Sequence, residues 1–559
     1  MIPSGNKRPY LFLFAALGAV FFLPFLGGVH LFDWDEVNFA EISREMLLLK
    51  DYTRVHVNFE PFYQKPPFFF WLQVLAMKLV GIGDYAARLP NAICGIITLP
   101  LLYDMGRKLR GHRFGLLWAV AYFGSVLPFL YFKSGIIDPW FNLFIFLGLY
   151  FFILFYWKKE QFSGITLSKS RWYYLLLGGF FIGMGILTKG QVAYLIAVLT
   201  MGVYWIYQRF RLYVSIPQFL LFTLAASVVT LAWYGIETLH HGFTFVEEFN
   251  KYQYRLFSTP DAGHKGFPGY HFVVLLVGCF PASIFAIRTF FKTPDEDAAF
   301  KADFNRWMKI LFWVVLILFT VVQSKIVHYS SMCYFPLTYL AALALDRWLE
   351  GGIVMNKWMK AGLLGVGGLY VLATALMPVL GSNAAALKPY FKDPFAQGNL
   401  EAPVQWSGAE VIPAVFLFIL LWLFFRWANK GEKLRSIFLL FGGTAVFCML
   451  ALVFFIGRVE AYSQRAAVEF SMSKMEEDCY LSTYGYKSYI PLFYAQPQDG
   501  QKCCFKDSEC TDRLIQGTID KPAYIITKVQ KAAELQSKGA LREVGRKNGF
   551  VFFERIPEN

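Results

Sequence analysis

Asp33-Trp34-Asp35-Glu36 and, thirty residues later, Tyr63-Gln64-Lys65-Pro66-Pro67 frame the stretch 33–67 on which the reading of this chain turns. Two carboxylates follow directly on the first apolar segment. Phe39, Ile42, Met46 and Leu49 then recur at the spacing of one helix face, which predicts a helix lying in a membrane interface. The lysine at the far end stands before two prolines, and a residue before proline is pushed toward extended geometry. Acids and a cation are thereby brought to a membrane surface.

The rest of the chain says that the membrane is crossed many times. Of 559 residues, 56% are hydrophobic, 19% aromatic and only 16% charged, more apolar surface than a soluble core hides. Apolar runs of about 20 residues, long enough to span a hydrocarbon core, recur from 10–29 to 436–457. Basic residues such as Arg107, Lys108, Arg110 and Arg113, or Lys158 and Lys159, fall at every second loop, the positive-inside pattern. The formal charge of +14 therefore reports topology, and a nucleic-acid partner is set aside.

The segment Phe68 to Val80 is too short to cross. Counting it as a span would put Arg107 to Arg113 outside, so it reads as interfacial or re-entrant. About thirteen spans remain, among them 10–29, 114–132, 190–207, 270–291, 329–348 and 436–457, with an inner N-terminus and an outer C-terminus. Lys7-Arg8 ahead of the first run resembles a signal peptide, but the run is long for one, and an uncleaved signal anchor is expected. No internal repeat is evident.

The expected organisation is an all-α transmembrane domain over 1–457, with a first outer loop over 30–88, followed by a soluble α/β domain over 458–559. In the latter, β-prone runs at 479–484, 523–527 and 549–553 alternate with a helix-prone one at 529–538. Cys479, Cys503, Cys504 and Cys510 lie here, where an oxidising compartment permits disulfides. Joining Cys510 or Cys479 to one of the adjacent pair is easier than bridging Cys503 to Cys504, and no pairing is singled out. Cys94, Cys279, Cys333 and Cys448 read as buried small hydrophobes.

Topology gathers the polar residues on the outer side: Asp35 and Glu36 after the first span, then Asp138, Lys189, Arg255, His264, and finally Lys325, His328 and Tyr329. Ionisable groups at membrane depth pair or line a wet cavity. Each also has a plainer reading. Asp35 could cap its helix, Asp138-Pro139 is an ordinary helix entry, and Lys65, Lys189 and Lys325 could snorkel to lipid phosphates. Two acids and several cations in one cavity suit a reaction needing a base and an anion clamp.

Asp35-Glu36, the run Ala40 to Met46, Lys65-Pro66-Pro67, Asp138-Pro139, Leu187-Thr188-Lys189-Gly190 and the stretch Ser324 to Pro336 resemble the bacterial aminoarabinose (lipid A) transferases. That family sits with the protein O-mannosyltransferase-like GT-C glycosyltransferases. The resemblance covers the N-terminal two thirds in order; beyond it only the layout is similar. It implies a GT-C-like fold and transfer of a sugar from a polyprenyl-phosphate donor to lipid A, another glycan or protein at the periplasmic face of the bacterial inner membrane. It further implies Asp35 as catalytic acid residue with Glu36 beside it, Asp138 as second acidic cavity residue, and Lys65 at the carrier phosphate.

On chemical grounds, cations that hold a departing phosphate stabilise the transition state without protonating it. Lys65, Arg255 and Lys325 are the candidates, with Tyr329 and Lys189 nearby. A base, Asp35, would take the acceptor proton, and a single displacement would invert the anomeric carbon. No cofactor is required by this scheme. A divalent metal stays open, with His264 as a ligand, but the family's usual Glu before the lysine is Gln64 here. The rival reading is a transporter that flips a lipid-linked sugar. Transporters favour midplane sites and repeats, whereas these ionisable residues cluster at outer span ends.

Overall fold

The computed structural model describes residues 7–259, 266–291, 296–498, 504 and 508–557. Among them, eight helices are long and apolar enough to cross a membrane, or nine if Tyr270–Gly278 and Ala282–Phe291, which meet at 119°, form one broken span. The protein is a polytopic, mostly helical membrane protein with a small C-terminal sheet. The expected spans 10–29 and 190–207 fall on the shorter helices Arg8–Phe22 and Val192–Tyr207. Those at 114–132 and 329–348 are broken, the first into His112–Phe123 and Val126–Tyr131, the second into a 3₁₀ turn Val327–Cys333 and Tyr334–Leu349.

Helix Asp138–Lys159 lies near the centre of the bundle and is buried along almost its whole length. Pro139 suits its first turn and Lys158-Lys159 its last, where the helix dipole favours cations. Small residues let its neighbour Arg171–Lys189 approach closely: a Cβ at Gly178 would sit 3.0 Å from the Gly148 carbonyl oxygen. On the other side of that neighbour, a Cβ at Gly183 would sit 2.6 Å from the Ala226 carbonyl oxygen on helix Ile216–His241. Backbone contact of this kind is how spanning helices associate where lipid offers no hydrophobic drive.

The first loop departs from expectation. Helix Asp35–Leu49 is buried from Glu36 to Met46, polar residues included, so protein covers it on all sides there instead of leaving the single apolar face expected. Its charges are matched internally. Arg44 pairs with Glu41 at 2.7 Å and donates to the Pro497 carbonyl at 3.1 Å. Glu45 accepts the N–H groups of Asn58 and Phe59 at 2.5 and 2.9 Å. Those two residues form the tight turn between β1 (His56–Val57) and β2 (Glu60–Pro61), both with positive φ. A two-residue turn of this kind needs φ above zero at both centres, and the carboxylate offsets the strain of a phenylalanine there. The hairpin delivers the chain to Lys65, and Pro67 then starts helix Phe68–Val80.

What covers the first loop is the C-terminal region. Leu31, Phe39, Ile42 and Phe69 share one hydrophobic core with Val468, Leu481, Tyr489 and Phe552. Polar ties cross the same seam: Gln464 donates to the Leu31 carbonyl at 2.7 Å, and the Leu31 N–H donates to the Tyr494 hydroxyl at 2.6 Å. The last spanning helix also runs on to Ser463, past the boundary expected at 457. The region beyond it is thus fused to the loop. Its sheet has the order β3-β4-β6-β5, with β3 (Tyr480–Tyr484) parallel to β4 (Ala523–Lys528). β6 (Phe550–Arg555) runs antiparallel to β4 and to β5 (Arg542–Lys547). Helix Val529–Gln536 lies where expected. Cys504 is bonded to Cys510, while Cys503 lies outside the described residues. Cys94, Cys279, Cys333 and Cys448 are buried.

The tie that fixes this layout is Glu36. Its two oxygens accept from Arg88 Nε at 3.1 Å and Nη2 at 2.7 Å, from the Phe32 N–H at 2.9 Å and from the Gly135 N–H at 2.5 Å. Arg88 spends its remaining donors on the carbonyls of Leu26, Val29 and His30. Removing one partner of a buried pair strands the other's charge, typically at about 3–5 kcal/mol. Arg88→Met is therefore expected to lower the thermal midpoint in detergent well below that of the unaltered protein. An unchanged midpoint would show that the pair does not hold the loop.

Candidate functional site

A cavity of about 870 Å³ opens between the first loop, the helix ends and the C-terminal region. It is bordered by Asp35, Glu36, Lys65, Asp138, Lys189, Arg255 and Tyr329, seven of the residues singled out in the sequence. Lys325 is absent from its wall. Its ammonium donates to the carbonyls of Phe319, Thr320 and Val322 at 3.1, 2.6 and 2.5 Å, closing the C-terminal end of helix Ala299–Val321. A cation satisfies unpaired carbonyls and the dipole at a helix end, and that is the contact the Lys325 ammonium makes here. His264 lies outside the described residues.

The carboxylates of the cavity differ in how they are occupied. Glu36 carries four donors, and although burial pushes its carboxyl up, Arg88 and the two backbone N–H groups hold it below the usual range. It is held as an ionised strut between Arg88 and the backbone. Asp138 is buried at the first turn of its helix and pairs with Lys189 at 2.6 Å. The second acid and one of the supposed phosphate cations thus neutralise each other. Lys189 also lies over the rings of Phe141 and Tyr329, at 5.6 and 5.4 Å.

Asp35 is different. It is the first helical residue, no side chain caps that helix, and its carboxylate accepts no hydrogen bond among the described residues. The imidazole of His328 stands beside it, with Nε2 at 3.8 Å. Burial holds that imidazole below its ordinary value, so it is neutral at physiological pH. The capping role open to Asp35 in the sequence is not the one it has here.

Two further cations of the wall come from two elements. Lys65 donates to the Tyr252 hydroxyl at 3.2 Å and sits over its ring at 4.8 Å. Arg255, one turn further along helix Thr244–Ser258, lies over the same ring at 5.3 Å. Tyr252 therefore gathers a lysine and an arginine into one cluster. Among the described residues no group of three or more His, Cys, Asp or Glu side chains is placed to hold a metal. Gln64 offers a neutral carboxamide where a metal would want a carboxylate.

Among the wall residues that the sequence reading gave no role are Asp33, quoted only as part of its motif, Asn38, Tyr252 and Lys487. Lys487 comes from the C-terminal region and lies over the rings of Trp34 and Tyr489, at 4.2 and 5.1 Å. No local motif announces it, because its position depends on a contact more than four hundred residues away. Asp33 could have been found, standing two residues before Asp35.

Asp33 accepts the Tyr489 N–H at 3.2 Å, but burial pushes its carboxyl up to about 6 against the pull of Ser488, that N–H and Lys487. Its ordinary value is near 4. Between those values the folded state holds a proton that the unfolded chain has lost, so this group's contribution favours folding below about pH 4 and is lost as pH rises through about 6. Stability should fall across that window. The Asp33→Asn variant should flatten this part of the pH profile, as followed by thermal midpoint in detergent from pH 4 to 7.

Three kinds of similarity bear on the site. Residues 64–233 match the family model described as dolichyl-phosphate-mannose-protein mannosyltransferase. The undecaprenyl phosphate-alpha-4-amino-4-deoxy-L-arabinose arabinosyl transferase of Edwardsiella ictaluri is 28% identical over 382 residues, 66% of this chain and 65% of that protein. Its counterpart in Pectobacterium carotovorum is 27% identical over 390 residues, covering 66% and 64%. The chain thus spans just under two thirds of the length of these relatives. Across 98% of both chains the fold is that of ArnT from Cupriavidus metallidurans crystallised with undecaprenyl phosphate, at a TM-score of 0.75 and 17% identity. The apo crystal structure gives 0.72 and 18%. The resemblance drawn from the early motifs is borne out, and as a fold it extends through the C-terminal region.

Proposed function

We propose that this chain, a multi-pass membrane protein with the fold of ArnT, is a glycosyltransferase that moves a sugar from a polyprenyl-phosphate carrier to an acceptor. The observation that carries the reading is the contrast inside one cavity. Asp35 alone among its carboxylates accepts no hydrogen bond from the described residues, while Lys65 and Arg255 are gathered on Tyr252 across the same space. A base and an anion clamp bordering one cavity are what the transfer needs.

In the proposed reaction Lys65, Arg255 and Tyr329 hold the carrier phosphate. Its negative charge grows as the bond to the anomeric carbon breaks, and fixed cations stabilise that change more in the transition state than before it. Asp35 accepts the proton of the acceptor hydroxyl as that oxygen bonds to the anomeric carbon from the opposite face, inverting it. His328 stands beside the base, with Nε2 at 3.8 Å from the Asp35 carboxylate. Asp138 and Lys189 orient the wall as a neutral pair. The alternation of basic loops supports a cavity and C-terminal region at the periplasmic face of the inner membrane, where a lipid-borne donor and a lipid A, glycan or protein acceptor can meet.

Asp35→Asn is expected to lower transfer by about 10² to 10⁴ while polyprenyl phosphate still binds. Lys65→Ala is expected to weaken carrier binding as well as turnover. Both are read with purified protein in detergent, by released polyprenyl phosphate and by titration calorimetry of the carrier. Near-normal turnover in the Asp35→Asn protein would remove the base from the scheme. Carrier binding unaffected by Lys65→Ala would remove the clamp.

A further inference from the structure

The Asp35 carboxylate accepts no hydrogen bond among the described residues, so its place in the cavity is set by the backbone that carries it. Trp34 precedes the helix without a side-chain cap, and the first N–H groups of a helix have no partner within it. What fixes the approach to Asp35 is the stretch 31–33.

Gln464 holds that stretch from the far end of the chain. Its carboxamide oxygen accepts the Asp33 N–H at 3.0 Å, and its carboxamide nitrogen donates to the Leu31 carbonyl at 2.7 Å. The two bonds straddle Phe32, whose own N–H goes to Glu36 at 2.9 Å. An acceptor and a donor offered side by side to one length of backbone is how a neighbouring strand holds it, and a carboxamide carries both at one end. Gln464 is itself firmly placed. It is only 8% exposed and sits between helices Gly457–Ser463 and Arg465–Met472. Its N–H donates to the Glu460 carbonyl at 3.0 Å, and its carbonyl accepts the N–H groups of Ala467 and Val468 at 3.0 and 3.1 Å.

We propose that Gln464 is a positioning residue for the reaction: by clamping Leu31 and Asp33 it sets where the Asp35 carboxylate stands, which makes the region after the last span a working part of the catalytic centre. The inference rests on the transferase reading above, in which Asp35 is the base. The seam between the first loop and that region is also held by the shared apolar core and by Tyr494 on the Leu31 N–H. Loss of Gln464 is therefore felt at Asp35 more than in the fold. A base has to stand within hydrogen-bond reach of the proton it takes, and a misplacement of about 1 Å costs about 10² in rate.

Gln464→Leu removes both bonds at similar size. In the full-length protein in detergent, turnover is followed as polyprenyl phosphate released from carriers bearing glucose, mannose, galactose or 4-amino-4-deoxy-L-arabinose, with lipid A as acceptor. In this variant kcat is expected to fall by about 10², with calorimetric affinity for bare polyprenyl phosphate unchanged and the Asp35 carboxylate displaced by about 1 Å in electron cryo-microscopy. Gln464→Glu regains a donor when protonated, so its kcat relative to the unaltered protein should rise as pH falls from about 8 to about 5. Effects that run through one residue do not multiply, so adding Gln464→Leu to the Asp35→Asn protein should leave its residual turnover unchanged. Unaltered kcat in Gln464→Leu, or an Asp35 carboxylate that has not moved, overturns the proposal. So does a loss in the Asp35→Asn background as large as in the unaltered protein, or, should the leucine variant not fold, a Gln464→Glu ratio that stays flat with pH. Release of no polyprenyl phosphate by the unaltered protein from any of the carriers would overturn the transferase reading instead, and the position of Asp35 in the two maps would still decide whether Gln464 sets it.

Discussion

The carboxylate of Glu36 is the point from which the rest of the site is hung. It belongs to the first turn of one helix, takes the guanidinium of Arg88 from a second, and accepts the N–H of Gly135 just before a third. Asp35 adjoins the first of these contacts and Asp138 follows three residues after the last. One buried acid thereby sets the relative positions of two others. Because its charge is matched by Arg88 and its lone pairs by backbone donors, the arrangement is stiff without leaving charge to compete with chemistry.

The same sorting applies to the cations. A lysine near a membrane boundary can serve lipid, helix end, carboxylate or substrate, and sequence position alone does not choose. Lys325 closes a helix end and Lys189 balances Asp138. Lys65 and Arg255 meet on an aromatic ring, a contact that orients a cation without cancelling its charge.

Much of this was legible in the chain, for identifiable reasons. Apolar length and basic loops gave the membrane-spanning layout, and the Pro-flanked Lys65 stood out because proline stiffens the backbone whatever surrounds it. The β-prone runs of the C-terminal sheet were read correctly except β5, whose Arg542-Glu543-Val544-Gly545-Arg546-Lys547 is an edge strand rich in charge and lacks the alternation of a buried one. Burial of helix Asp35–Leu49 was not legible, since its second covering face comes from residues beyond 463. Lys487 escaped for the same reason. Glu36 and Asp35 are adjacent carboxylates, and only three-dimensional neighbours decide which is a strut and which is left for chemistry.

The shared core between the first loop and the C-terminal region also bears on the order in which the molecule can be made. Phe39, Ile42 and Phe69 precede their packing partners Leu481, Tyr489 and Phe552 by more than four hundred residues, so they are synthesised well before them. Until then the loop has no apolar cover, and the wall that Lys487 completes is missing one side. A chain cut between Ser463 and Lys487 would keep every helix long enough to span and still lack that wall residue. The site is in that sense assembled only once the chain has been made past Lys487.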